Sequence, residues 1–343
     1  WCCFMKALVI RKPFDGGIEV VEDPKPGVGD VVVGVRACGV CGTDLHIFRG
    51  EEPRVKYPVV PGHEISGVVV DVGDGVSGLS VGDFVAVDPN IACGKCYYCR
   101  IGARHFCENW EGVGVTRPGG FAEKVVVPAA QVYRVSSNIP FERAALVEPL
   151  SCILHGLDVI KPFRESGKIA IFGAGPIGLM FLALLRRITS ADIAVFEIQS
   201  QRIKKAFELK ADAVEDPTKI DLHKFAMEFT SGRGFNIVID ATGSIDAISR
   251  IFKLDIVAPQ AKILIFGVAP PGKKVELEPY LLYRKEVTIA GAIVNPYTTQ
   301  RAVELIAKMP ELDTIIDRID LEEALNILKG TSRKSYIKPV VVF

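Results

Sequence analysis

The 343-residue chain has no excess of either charge: 41 Lys and Arg face 41 Asp and Glu. A neutral chain offers no field to a polyanion, so nucleic acid is not an expected partner. Long apolar runs are also missing. The longest stretch without a charged or polar side chain, residues 169–185, falls just short of a membrane span and carries three glycines and a proline. It fits a buried strand turning into a buried helix better than a membrane helix. Nine cysteines are too sparse for a disulfide scaffold, so their spacing carries more information than their number. No low-complexity linker and no solenoid-length repeat is visible. The first residues, Trp1-Cys2-Cys3-Phe4, lack the basic start and cleavage pattern of a signal peptide, and Met5-Lys6-Ala7-Leu8-Val9 reads like a natural start. A reducing cytoplasm is the expected compartment.

What is present is ordinary soluble composition, 49% hydrophobic and 24% charged, at a length that suggests about two domains. The first part consists of β-branched runs between glycine and aspartate turns: residues 31–35, 68–70, 84–87 and 124–127. That texture predicts a mostly antiparallel, barrel-like domain. Near Glu148-Pro149 it changes to alternating strands (169–172, 193–196, 237–240, 263–266, 287–290) and helices (from Pro176, 202–209, beyond Ser244). Such alternation predicts an α/β domain with a doubly wound parallel sheet. A helix over 299–308, an amphipathic stretch over 321–328 and a β-like end at 340–342 complete the chain.

Cys93, Cys96, Cys99 and Cys107 stand in Cys-x2-Cys-x2-Cys-x7-Cys spacing. One loop with that spacing can wrap a zinc ion in four thiolates, leaving no open position, which is a structural site. An iron–sulfur cluster is the competing use, but the proline that often follows the last cysteine is replaced by Glu108. The second motif is Gly173-Ala174-Gly175-Pro176-Ile177-Gly178 between an apolar strand and a helix. There Gly173 permits a tight turn, Gly175 lets backbone approach a pyrophosphate, and Gly178 lets helix pack on strand. Glu197, at the end of the next strand, is placed to accept ribose hydroxyls and to repel a 2′-phosphate, which favours NAD over NADP. The alternative is a solvated strand-end glutamate. Arg202 is placed to stack on adenine or to soften that discrimination.

Cys41, His63, Glu64 and Glu148 each sit at a turn or strand end. One Cys, one His and one carboxylate make three ligands with a fourth position open, the pattern of catalytic zinc. Taken singly, Cys41 also fits a core thiol, His63 a structural histidine and Glu148 a helix N-cap.

The stretch Gly62-His63-Glu64-Ile65-Ser66-Gly67 with Gly73 and Val76 resembles the signature of zinc-dependent medium-chain dehydrogenases. Cys41-Gly42-Thr43-Asp44-Leu45-His46, the four-cysteine lobe and the glycine loop follow the same family's order, and the resemblance covers residues 5–343. It implies a GroES-like catalytic domain over 1–147 and 295–343, with the zinc lobe at about 90–110, and a Rossmann NAD-binding domain over 148–294. It also implies two zinc ions and NAD. Cys41 and His63 would hold the catalytic zinc with Glu64 and Glu148 near it, and Asp44 would orient the His63 ring. Cys152 is the only other thiol near Glu148. A zinc-acidified alcohol would pass hydride to the nicotinamide while Thr43 and His46 relay the proton outward.

Glu148-Pro149-Leu150-Ser151 resembles the polyol dehydrogenase branch, whereas Ile47 and Val294 stand where animal sorbitol dehydrogenases have Tyr and Arg. The runs 41–47 and 112–119 resemble threonine 3-dehydrogenases, but Leu150-Ser151-Cys152-Ile153 and Val294-Asn295-Pro296 depart from them. The expected substrate is therefore a secondary alcohol, a polyol first and L-threonine or a related amino alcohol second. A non-catalytic zinc- and nucleotide-binding protein is the third reading. Pairing of the 287–290 edge strand across a two-fold would give a homodimer or homotetramer. Of the other residues, His105, His155, His223 and Cys38 are read as packing or surface positions.

Overall fold

The computed structural model describes residues 4–343, so Cys2 and Cys3 and most of the expected upstream segment lie outside the described residues. The chain forms two compact units: one ends at Ser151 and resumes over Val294–Phe343, and the other is Cys152–Ile293.

The first unit opens with a hairpin of β1 (Phe4–Lys12) and β2 (Asp15–Glu22). Then follow β3 (Asp30–Gly39), α1 (Gly42–Arg49), β4 (Glu64–Val72), β5 (Phe84–Val87), β6 (Asn90–Ile91), α2 (Tyr97–Arg100) and β7 (Glu111–Gly112). The segment closes with β8 (Lys124–Pro128), β9 (Val132–Arg134), α3 (Phe141–Ala145) and α4 (Val147–Val159). The second unit alternates β10 (Lys168–Phe172), α5 (Pro176–Ile188), β11 (Asp192–Phe196), α6 (Ser200–Glu208), β12 (Ala213–Glu215), α7 (Leu222–Phe229) and β13 (Phe235–Asp240). It ends with α8 (Ile245–Phe252), β14 (Val257–Ile265), α9 (Pro279–Lys285) and β15 (Thr288–Gly291). The chain then returns to the first unit as α10 (Thr299–Ile306), β16 (Ile316–Ile319), α11 (Leu321–Lys329) and β17 (Lys338–Val342).

The valine-rich runs pair as their β-branched side chains favour. They build a seven-stranded sheet in the order β16-β17-β3-β4-β5-β9, with β8 on β3, antiparallel except for β16 and β17. One edge of β3 takes β4 along its length. The other is shared by β8 over residues 30–34 and by β17 over residues 37–39. The end of the chain is thereby delivered beside Gly39. Val33, Val69, Val85, Val127 and Phe121 lie at the centre of this unit's core.

In the second unit every sheet pairing is parallel, in the order β12-β11-β10-β13-β14-β15. Strand order reverses beside β10, the first strand of the unit, and in open α/β sheets the ligand crevice lies at such a switch point. Phe172 and Phe196 pack with ring centroids 4.6 Å apart and, with Phe235 and Ile263, anchor this unit's core.

Gly67 shows how tightly β3 and β4 approach: a Cβ added there would lie 2.1 Å from the Gly34 carbonyl oxygen. Gly67→Ala is expected to force the two strands apart and to cost about 1–3 kcal/mol of stability, as overpacked cores do. Denaturant unfolding of the two proteins measures the difference.

Candidate active site

The four lobe cysteines come together around α2. Their sulfurs all lie within 4.8 Å of one another, and the Cys96 and Cys107 sulfurs are 3.9 Å apart. A tetrahedron with zinc–sulfur bonds of about 2.3 Å places its corners about 3.8 Å apart, so the spacing fits one ion. The larger body of an iron–sulfur cluster would spread the sulfurs farther. Backbone N–H groups of Lys95 and Cys96 lower the Cys93 thiol to about 6. Burial and the neighbouring sulfurs of Cys96 and Cys107 push Cys99 up to about 12. A bound cation resolves that conflict by taking all four as thiolates.

The second cluster joins two separate parts of the chain. Cys41 caps α1, and His63 and Glu64 start β4; one ligand atom from each lies within 4.8 Å of the others. Asp44 is fully buried and pins the arrangement. Its Oδ2 accepts the Cys41 N–H at 2.8 Å and its Oδ1 accepts the Gly62 N–H at 3.0 Å. Its Oδ1 also faces His63 Nδ1 at 3.6 Å, an ion-pair distance, so Asp44 stands beside the ring as expected while it holds the Cys41 and Gly62 backbones. His63 Nδ1 is buried and faces Asp44, which leaves Nε2 as the ring atom to meet an ion. Burial opposes charge on His63, but Asp44 and Cys41 outweigh it and raise its pKa well above the usual imidazole value. The pocket thus favours a cation, and soft sulfur, imidazole and carboxylate suit zinc.

Glu148 stands outside the three-residue set, in the first turn of α4 and nearly buried. It is not an N-cap, since Val147 precedes it inside the helix. Cys38 is fully buried, and burial raises its thiol well above the usual value, so it packs rather than ligates. Thr43 and His46 lie on α1, three residues apart and so on one face of the helix. The Cys41 sulfur approaches Thr43 Oγ1 at 3.8 Å, while His46 is 47% exposed and its Nδ1 lies 2.6 Å from Glu51 Oε2.

Lys338 is the residue that sequence reasoning missed. It begins β17, is buried, and reaches 2.6 Å from Glu64 Oε1 and 2.5 Å from Oε2, also donating to the Val40 carbonyl at 3.0 Å. Burial opposes its charge, yet Glu64, Cys41 and Glu148 raise its pKa. The signal was available: strand alternation puts Lys338 on the face of fully buried Val340.

A second overlooked group ties the Val294–Phe343 part of this unit together. Asn295, 1% exposed, donates to Ser151 Oγ at 2.7 Å and to Thr299 Oγ1 at 3.2 Å, and its carbonyl accepts from Asn90 Nδ2 at 2.6 Å. Buried Asp88 accepts from the Asn90 backbone at 3.0 Å and from Thr299 Oγ1 at 3.0 Å.

In the second unit Gly173 has φ +94°, a left-handed turn that glycine adopts without strain. A Cβ on Gly178 would lie 1.9 Å from the Gly173 carbonyl oxygen, so helix and turn touch there. Gly175 caps α5, and Pro176 and Ile177 enter its first turn, where free N–H groups suit a phosphate. Glu197 is 6% exposed, which rules out the solvated alternative. Its Oε2 accepts the Ala174 N–H at 2.8 Å, and Oε1 accepts the Ile198 and Gln199 N–H groups at 2.7 and 2.9 Å. Arg202 stands 3.9 Å from Glu197 Oε2.

Two zinc-capable sites on a β-rich unit, together with a dinucleotide-type glycine loop on a parallel sheet in the other unit, define a metal- and nucleotide-using oxidoreductase. Two family models match: the alcohol dehydrogenase GroES-like domain over residues 27–137 and the zinc-binding dehydrogenase domain over residues 176–308. The chain belongs to the zinc-dependent medium-chain dehydrogenase family, as an alcohol-oxidising enzyme. L-threonine 3-dehydrogenase of Pyrococcus abyssi is 37% identical over 84% of this chain and 82% of its own length. D-arabinitol dehydrogenase 1 of Uromyces fabae is 35% identical over 87% and 85%. Among solved structures, a zinc-binding dehydrogenase from Sinorhizobium meliloti with bound NADP has a TM-score of 0.94 at 33% identity, covering 99% of this chain and all of its own.

The wild-type protein is expected to contain two zinc ions per chain by elemental analysis. Cys41→Ser should lose one with the fold retained. Cys96→Ser should lose the other and unfold more readily, because a closed structural site contributes folding energy directly.

Proposed function

We propose that the protein oxidises a secondary alcohol of a small polyol or diol to a ketone, using NAD. Zinc in the Cys41–His63 site would acidify a bound alcohol, and the nicotinamide would accept its hydride. Cys41 and His63 are the ligands in this reading, with Glu64 and Glu148 as the carboxylates beside them. Gly173, Gly175, Pro176, Ile177 and Gly178 cradle the pyrophosphate, and Glu197 and Arg202 meet the adenosine end. A carboxylate oxygen has lone pairs beyond those given to backbone, so Glu197 can still accept a ribose hydroxyl and repel a 2′-phosphate. Faster turnover with NADP than with NAD at equal concentration would overturn the NAD preference.

Proton removal falls to α1. The Thr43 hydroxyl beside Cys41 takes the proton outward, and His46, one turn on, receives it at Nε2 while Glu51 holds Nδ1. His46→Gln is expected to slow oxidation at neutral pH by about tenfold or more, within the usual worth of acid–base assistance. Higher pH or added imidazole should restore part of the rate. An unchanged rate and pH profile would remove His46 from the relay.

The substrate reading is carried by the stretch Val294-Asn295-Pro296. Val294 is apolar, and Asn295 is committed to Ser151, Thr299 and Asn90, so the stretch offers no cation to the carboxylate of an amino acid. The second reading is L-threonine, favoured by the 37% identity to a threonine 3-dehydrogenase. Sugar alcohols, inositols, diols and L-threonine compared by NADH absorbance decide it. A neutral polyol or diol is expected to give the highest kcat/KM, and an L-threonine value ten times higher than any of them would reverse the assignment.

The catalytic unit is placed at 1–147 and 295–343 and the nucleotide unit at 148–294. A homodimer or homotetramer is inferred from β15, the outer strand of the parallel sheet, whose free edge suits the same strand of a second copy. No helix of the described residues is long and apolar enough to cross a membrane, and no disulfide joins the described cysteines. The cytoplasm is the compartment that this reading assigns.

A further inference from the structure

Asp240 ends β13 in register with Phe172, the residue before the Gly173 turn, and is fully buried. Its carboxylate bends back onto the next loop. Oδ1 accepts the Thr242 N–H at 3.0 Å and the Thr242 hydroxyl, and Oδ2 accepts the Gly243 N–H at 3.2 Å. The Thr242 hydroxyl in turn accepts the Ser244 N–H at 2.9 Å. A hydroxyl engaged on both sides fixes the side-chain rotamer, because a branched Cβ leaves few alternatives. The methyl group is then aimed at the glycine turn: a Cβ on Gly173 would lie 2.7 Å from Thr242 Cγ2. On the far side the same loop is wedged by backbone. A Cβ on Gly243 would lie 2.4 Å from the Val268 carbonyl oxygen, and one on Gly267 would lie 2.0 Å from the Gly243 nitrogen. The Asp240 carbonyl closes that contact by accepting the Phe266 and Gly267 N–H groups at 3.0 and 2.9 Å. One residue thus ties together the loops that follow β10, β13 and β14, where the strand order reverses. Burial raises the Asp240 carboxyl above its usual range, and the Thr242 and Gly243 donors oppose that shift. Burying a carboxyl here is costly, and the bonds it recovers go to one loop.

We propose that Asp240 is a positioning residue for cofactor binding: through Thr242 it holds the Gly173 turn in the shape that receives the pyrophosphate. The inference rests on the reading of Gly173, Gly175 and Gly178 as the pyrophosphate cradle. Glu197 accepts the Ala174 N–H at 2.8 Å, so the turn is braced by two acids, from β11 and from β13, the strands that flank β10. Asp240→Asn keeps the volume, but its amide group turns a donor toward one of the loop N–H groups, and Thr242 or Gly243 loses its acceptor. Thr242→Ser keeps the hydroxyl and removes the methyl that meets Gly173.

The test titrates the zinc-loaded protein with ADP-ribose, which carries the pyrophosphate, and with AMP, which does not. Competition against NADH fluorescence gives both Kd values. Asp240→Asn is expected to weaken ADP-ribose about tenfold or more, the effect of one unpaired buried N–H, and AMP by less than about twofold. Thr242→Ser should weaken ADP-ribose in the same selective way, and it carries the test alone should Asp240→Asn fail to fold. Unchanged ADP-ribose affinity in the variants would overturn the proposal. So would an equal loss for ADP-ribose and AMP, or a lowered melting temperature with no selective loss, since either marks Asp240 as a structural residue of the sheet only. If the wild-type protein binds ADP-ribose no more tightly than AMP, the pyrophosphate reading of the glycine turn itself fails and the inference falls with it.

Discussion

Negative charge concentrated in one buried place is the constraint on which the first unit depends. Asp44, Glu64 and Glu148 are buried in or beside the pocket that Cys41 borders, and none of the three is free to disperse its charge into bulk water. Each must be met by a donor or a cation, because an unpaired buried charge costs several kcal/mol. Asp44 is satisfied by two backbone N–H groups and Glu64 by Lys338. Cys41 and His63 are left to face a divalent ion. The architecture serves this balance: β3 turns into α1 at Cys41, β4 starts at Glu64, and β17 enters beside Gly39. A sheet with these three strands adjacent brings the anions and their lysine together without a long loop.

The second unit solves a different problem, the close approach of backbone to a diphosphate. Touching helix and turn at Gly178 and Gly173 leave the end of β10 free of side chains where a phosphate would sit. Glu197 braces that same turn by accepting the Ala174 N–H, so the residue read as a ribose ligand also fixes the loop's shape. A substitution there would disturb both tasks. Asn295 shows the converse in the first unit: a buried polar residue is spent on internal hydrogen bonds, which leaves Val294 and Pro296 to define that surface.

The features legible in the sequence were those whose chemistry is local. Four cysteines within fifteen residues, or three glycines within six, name their use because neighbours in the chain are neighbours in space. Cys41, His63 and Glu64 were legible only through a resemblance, since no spacing rule links residues joined by a strand pairing. Lys338 was not found, although it contacts Glu64 directly, because a lysine before a terminal apolar run looks like a solvated strand end. Asp44 was expected beside His63 and faces it at 3.6 Å, while its bonds to the Cys41 and Gly62 backbones were not legible, since they depend on the fold bringing Gly62 to α1.

By itself, then, the sequence determined the two kinds of element, the closed four-thiolate loop and the glycine turn. Each of these rests on short-range geometry: β-branched alternation, ligand reach along one loop, and positive φ at glycine. Only the tertiary structure decided which carboxylate stands beside Cys41 and His63 and which cation holds it. It also decided that Asn295 is buried and committed. Those outcomes depend on register between strands hundreds of residues apart, where a slip of one residue would turn Lys338 from the pocket to the opposite face of its strand.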